Sequence, residues 1–119
     1  MEETLQLVNS IIDGIQEKKG RSIVTVDLSN ILTAPCTYFV ICTGTAPQHT
    51  DAICDSVEEF TGKQLHEKPA RIAGRDNAEW IAMDYGTVMV HILLPEAREH
   101  YDIENLWNDA QITQVADID

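Results

Sequence analysis

Residues 80–107 read W-I-A-M-D-Y-G-T-V-M-V-H-I-L-L-P-E-A-R-E-H-Y-D-I-E-N-L-W. Two apolar segments flank a turn at Tyr85 and Gly86, and Pro95 stops the second of them. The alternation predicts two strands, over 79–85 and 87–94. On the first, Trp80, Ala82 and Asp84 share one face, and Ile81, Met83 and Tyr85 share the other. On the second, Val88, Val90 and Ile92 form the expected inner face, opposite Met89, His91 and Leu93. After Pro95 a short helix starts over 96–100, and Ile103, Leu106, Trp107 and Ala110 continue a helical stripe. Both tryptophans and two of the three tyrosines lie in this stretch. Large rigid aromatics suit a recognition surface as well as a core. Tyr85 stands beside the turn, so deep burial is not expected there.

The remainder reads as a scaffold for that stretch. Leu5, Val8, Ile12 and Ile15 recur at helical spacing, widened by Leu7 and Ile11, which predicts a helix over 2–18 capped by Gly20. Ser22–Leu28 alternates and is rich in β-branched residues, so it reads as a strand. Thr37–Thr43 is apolar on both faces and suits a central strand. A helix is expected next, with Thr45 and Gln48 as a capping box, Pro47 in its first turn and Gly62 at its end near Thr61. Residues 63–78 read as a mobile connection with one short edge strand at 70–73, and their Lys63, His66, Lys68, Arg71 and Arg75 form a local basic group. Together these elements predict an α/β (α+β mixed) domain, with a mixed sheet of about five strands flanked by helices. It covers residues 1–108, and an acidic, frayed C-terminal tail covers 109–119.

Composition bounds the function. With 119 residues the chain fits one domain, and its 44% hydrophobic content argues against general disorder. It has no apolar run of about 18 residues and no basic region ahead of an apolar one, so neither a membrane span nor a signal peptide is expected. Cys36, Cys42 and Cys54 lack metal-ligand or disulfide spacing and read as small apolar residues in a reducing cytosol. Twenty acids against eight bases give a net charge of −12. That surface repels phosphates, which argues against direct sequence-specific nucleic-acid binding and favours a basic protein partner. His49, His66, His91 and His100 are scattered, and the chain contains no catalytic or metal-binding motif. No catalytic residue, metal or cofactor is therefore expected. A binding module is favoured over an enzyme. The alternative is a nucleotidyltransferase-like enzyme or nucleotide-binding protein that cradles phosphate at the Gly44-Thr45 turn ahead of the helix.

Several segments together resemble a known family. They are Y-F-V-I-C-T-G-T at 38–45, His49, Ala52-Ile53, W-I-A-M-D-Y-G at 80–86, V-M-V-H at 88–91, Arg98 and Y-D-I-E-N-L-W at 101–107. The resemblance is to the ribosomal silencing factors, RsfS or Iojap, and runs over about residues 3–108. Thr37, Ala73 and Thr87 stand where that family usually carries acids. The resemblance implies a nucleotidyltransferase-like fold without catalytic acids. It implies a cytoplasmic translation repressor that binds the large ribosomal subunit through its ribosomal protein fourteen. Bound there, it blocks joining of the small subunit. A homodimer is a possible further state. The contact residues carried over by the resemblance are Trp80, Asp84, Tyr85, His91, Leu93, Arg98 and Tyr101.

Overall fold

A computed structural model describes residues 2–107 and 109–118. The element order is α1 (Glu2–Glu17), β1 (Arg21–Asp27), β2 (Tyr38–Thr43), α2 (Pro47–Leu65), β3 (Arg71–Ala73), β4 (Trp80–Asp84), β5 (Val88–Leu93), α3 (Pro95–Tyr101), a 3-10 turn (Ile103–Asn105) and β6 (Gln111–Gln114). The six strands form one mixed sheet in the order β3-β4-β5-β2-β1-β6. Only β2 and β5 run parallel, with Tyr38 opposite Val88 and Thr43 opposite Leu93. The other four pairings are antiparallel. The expected α/β class therefore holds, with one strand more than expected.

The two faces are covered differently. Helices α1 and α2 lie on one face, where Ile11, Ile15, Ile53 and Val57 pack on Val40, Ile81, Met83 and Val90. The inner face expected for β5, Val88, Val90 and Ile92, is thus the one under the helices. On the opposite face Val26, Phe39, Ile41, Leu93 and Ile103 form a second core, closed by residues from the β1–β2 connection and from the segment after Pro95. Beta-strand 2 sits at the centre with four of its six residues buried, as its two-sided apolar pattern predicts.

Several local expectations need correction. The left-handed residue ending α1 is Lys19 (φ 57°), not Gly20. Lys19 N–H donates to the Gln16 carbonyl (2.9 Å) and Gly20 N–H to the Ile15 carbonyl (2.9 Å), the reciprocal pair of a Schellman end. Leu5, placed in the buried stripe by its spacing, is exposed. Helix α2 has no side-chain cap at its N-cap, Ala46. The Thr45–Gln48 capping box does not form, because Thr45 N–H donates to His49 Nδ1 (2.9 Å) while His49 Nε2 reaches the Lys18 carbonyl (2.7 Å). One imidazole thus ties the end of α1 to the start of α2. Gly62 does not stop α2, which runs on to a left-handed His66. The expected helical stripe at 103–110 is broken after Tyr101 by left-handed Asp102, and Leu106 is exposed.

The tail expectation is also corrected. Gln111–Gln114 is a strand on the outer edge of β1, with Val26 opposite Ile112 and Val24 opposite Gln114. Val115 N–H extends the ladder to the Ile23 carbonyl (2.9 Å), and Asp117 accepts from Ser22 N–H (2.9 Å) beside Arg21. A strand edge left unpaired in water is a liability, and this segment removes it from β1. The boundary expected after residue 108 falls at a position outside the described residues.

Gly14 fixes the approach of the two helices. A Cβ there would lie 2.7 Å from Val57 Cα, and Ser56 Oγ donates to the Gly14 carbonyl (2.7 Å). Gly14→Ala gains about 1 kcal/mol of helix propensity but forces apart a backbone contact, an overpacking that costs about 1–3 kcal/mol. Thermal denaturation should therefore show Gly14→Ala melting below the wild type, against the propensity ranking.

Candidate functional site

The open part of the molecule is the β3–β4 half of the second sheet face. Covering segments close β1, β2 and β5 there, and the face then thins out. Trp80, Ala82 and Asp84 are half-buried along β4, Met89 is half-buried on β5, and Arg71 and Ala73 are exposed on β3. Pairing sets this face: Arg71 is opposite Asp84, Ala73 opposite Ala82, and Asp84 opposite Met89. At one end Tyr101, 49% exposed, packs against Trp80 with ring centroids 4.6 Å apart and planes tilted by 43°. Ala82 and Met89 were legible by parity, since each alternates with a residue already singled out. Arg71 and Ala73 had no such signal, because a three-residue strand carries no periodicity.

Beneath Trp80 lies His91, 5% exposed. The Trp80 indole N–H donates to His91 Nδ1 at 3.0 Å. An accepting Nδ1 places the imidazole proton on Nε2. Phe39 meets the other side of the imidazole edge-on, with centroids 4.8 Å apart. The rings Phe39, His91, Trp80, Tyr101 and His100 thus run from the core to the surface. Burial pushes the His91 pKa down to about 4, so the ring is neutral at physiological pH.

A second feature lies beyond the C-terminal ends of the parallel pair β2 and β5, where open α/β sheets commonly bind ligands. There a cleft of about 710 Å³ opens between Thr45-Ala46-Pro47, Glu79 and the Leu94–Tyr101 segment. Its lining includes Glu79 and Glu96 and no lysine or arginine. The Gly44-Thr45 turn beside it has its donors engaged: Gly44 N–H bonds the Leu93 carbonyl (3.0 Å) and Thr45 N–H bonds His49. The turn therefore has neither of these two N–H groups free for a phosphate, and the lining brings two carboxylates and no lysine or arginine. Among the described residues, no group of three or more His, Cys, Asp or Glu could hold a metal, and no helix is long and apolar enough to cross a membrane.

A family model described as "Ribosomal silencing factor during starvation" (RsfS) matches residues 1–119. The chain belongs to the ribosomal silencing factor family. Ribosomal silencing factor RsfS of Chromobacterium violaceum is 32% identical over 108 residues, covering 88% of this chain and 84% of that one. A crystal structure of a protein from the same organism superposes with a TM-score of 0.81 at 27% identity, covering 94% and 92% of the two chains. The mouse protein named "Mitochondrial assembly of ribosomal large subunit protein 1" is 35% identical over 85 residues, which is 66% of this chain and 37% of that one.

In this silencing-factor chain the seven candidate residues divide into two groups. Trp80, Asp84 and Tyr101 reach the open face. The Asp84 carboxylate also accepts Gly86 N–H (2.8 Å), shaping the hairpin turn in which Gly86 holds φ +87°. His91 and Leu93 face the same side of the sheet but are buried, Leu93 completely. Arg98 is largely enclosed: it forks onto Glu104 (3.2 and 2.7 Å) and donates to the Ser22 carbonyl (2.6 Å) and Thr43 Oγ1 (2.9 Å). It thereby staples α3 and the 3-10 turn to β1 and β2.

Tyr85 is the clear correction. It is 9% exposed and lies on the opposite face, in the core under α1 and α2. Strand parity outweighs the nearby turn, since Tyr85 alternates with buried Ile81 and Met83. The Tyr85 hydroxyl and Thr61 Oγ1 share a buried hydrogen bond of 2.9 Å. Burial pushes the phenol pKa up to about 12. The basic group at 63–78 is partly neutralised as well. Arg75 binds Asp51 (2.6 Å) and Asp55 (2.7 Å) on α2, and Lys63 pairs with Glu59 (3.4 Å). Of the cysteines, Cys42 and Cys54 are buried and Cys36 is half-buried, and burial raises all three thiol pKa values.

Two outcomes follow from these placements. Tyr85→Phe should lose about 1 kcal/mol of stability in denaturant unfolding, for one hydrogen bond, and Tyr85→Ala about 3–5 kcal/mol, for a buried aromatic. The second concerns pH. Above pH 6.5 His91 is neutral in both folded and unfolded chains and contributes no slope. Between pH 6.5 and about 4 only the unfolded chain takes up the proton, so stability falls with acid; below about 4 this contribution is flat. The total is about 3 kcal/mol at roughly 1.4 kcal/mol per unit. Urea unfolding from pH 7 to 4 should show His91→Asn losing less stability than the wild type by about that amount.

Proposed function

We propose that the protein silences translation as a non-catalytic docking domain in the cytoplasm. It binds the large ribosomal subunit through ribosomal protein fourteen and sterically obstructs joining of the small subunit. The observation that carries this reading is the open β3–β4 face, where Trp80 and Tyr101 pack against each other at the surface of a chain identified by family as a ribosomal silencing factor. Large, rigid rings at the centre of a patch are the usual anchors of protein complexes. The name of the mouse relative refers to the large subunit, which supports that side of the ribosome.

Charge supports a basic partner. The net charge of −12 favours attraction to the cationic surface of a ribosomal protein, chiefly by raising the association rate. Within the contact set carried over by the resemblance, we infer that Trp80, Asp84 and Tyr101 make the contact, a reading that their position on the open face supports. Arg98, Leu93, His91 and Tyr85 support those three or the fold beneath them.

Co-sedimentation with isolated subunits tests the proposal. The protein should travel with large subunits and not with small ones, and added before mixing it should lower the yield of joined ribosomes. Tyr101→Ala should remain folded, because the ring is half exposed at a helix end, and should weaken binding about thirtyfold. Normal joining with the protein bound would rule out the steric mechanism.

A further inference from the structure

We infer that His91 is a positioning residue for Trp80: it takes the indole N–H and fixes the ring that meets the partner, without meeting the partner itself. This rests on the docking role proposed above for the Trp80 face. The pairing places His91 opposite Ala82 and Trp80 opposite Leu93, so the two rings lie diagonally across β4 and β5 on one face. Their centroids are 5.9 Å apart, and the bond from Nε1 to Nδ1 is 3.0 Å. The outer torsion of a tryptophan side chain is broad. A rotamer alone therefore leaves the indole free to swing on a half-buried strand. The acceptor below and the Tyr101 ring beside it select one orientation.

His91 is held in turn by its surroundings. It is almost wholly enclosed, and the Phe39 ring meets it edge-on at an interplanar angle of 82°. At 5% exposure the imidazole itself offers a docked partner almost no surface. The arrangement also defines what Trp80 can offer. Its one polar atom is engaged inside the protein, so its exposed part offers aromatic ring surface and no hydrogen-bond donor. On a chain of net charge −12, an arginine or lysine side chain is the partner chemistry suited to that face.

The test combines NMR with binding. In ¹⁵N-labelled protein the Trp80 indole N–H signal is assigned by its loss in Trp80→Phe. His91→Leu, which removes the acceptor, should move that signal and speed its exchange with solvent. The same variant should weaken binding to isolated large ribosomal subunits about tenfold, the scale of one lost hydrogen bond to an ordered ring. His91→Asn, which returns an acceptor oxygen, should recover binding to within about threefold. In a Trp80→Phe background, His91→Leu should change binding by no more than about twofold, because a residue that acts only through another adds nothing once that other is gone. An unmoved indole signal in His91→Leu overturns the proposal, as does a tenfold loss that persists in the phenylalanine background. If the leucine variant does not fold, His91→Met fills the same space without an acceptor and takes its place. If wild-type protein does not bind large subunits, the docking role fails, and the indole signal alone then decides whether His91 sets the ring.

Discussion

The parallel pairing of β2 with β5 is the constraint on which the rest of the architecture depends. Two parallel neighbours cannot be joined by a tight turn, so the chain must leave the sheet and return. Here it leaves through α2, adds the β3–β4 hairpin beyond the far side of β5, and re-enters antiparallel to β4. That excursion buries one face of β2 and β5 under α1 and α2. The other face is covered only by short connections, those at 29–36 and after Pro95, which reach across β1, β2 and β5. They meet β4 at its Trp80 end, through Tyr101, and leave Ala82 and Asp84 half-buried and Arg71 and Ala73 exposed. The open face is thus a result of topology: most of the hairpin lies beyond the segments that close the second core.

Much of this was legible in the sequence, and the failures have physical causes. Alternation at 80–94 and the apolar run at 38–43 located the three strands and the inner face of β5, because burial leaves a period of two on a strand. At Tyr85 two signals conflict: its place beside Gly86 suggests exposure, whereas its parity with Ile81 and Met83 gives the burial found. The strand at 111–114 was missed because Gln-Ile-Thr-Gln is wholly exposed, so no buried face left a pattern. The expected capping box of α2 does not form because Thr45 N–H instead bonds the His49 ring, whose other nitrogen reaches the Lys18 carbonyl, a partner 31 residues away. Of the site, the aromatic residues were named in advance. Their division between exposed rings and buried supports required the sheet register and the course of the chain after Pro95.

The scarce basic residues show how an acidic chain uses its cations. Arg98, Arg75, Lys63 and Arg21 all bind carboxylates of the same protein. Arg98 joins four elements with a guanidinium whose fork matches the Glu104 carboxylate. Arg75 pins the loop before β4 to α2 and offsets part of the repulsion among Asp51, Asp55 and Glu58. These cations serve internal joints, which leaves the field around the molecule dominated by its acids.

The strand order also sets a timetable for synthesis. Beta-strand 1 ends at Asp27, whereas its outer neighbour begins at Gln111. At roughly 5–20 residues per second, the nascent chain carries β1 for several seconds before the residues that complete its outer ladder exist. Beta-strand 2 shares the delay on its other side, since its parallel neighbour begins at Val88. The centre of the sheet is therefore made early and closed late. During that interval the Ile23–Leu28 and Phe39–Cys42 segments, apolar and rich in β-branched residues, have only each other as strand partners. A nascent chain of this topology has reason to rely on α1, complete from the start, to shelter one face until the later strands arrive.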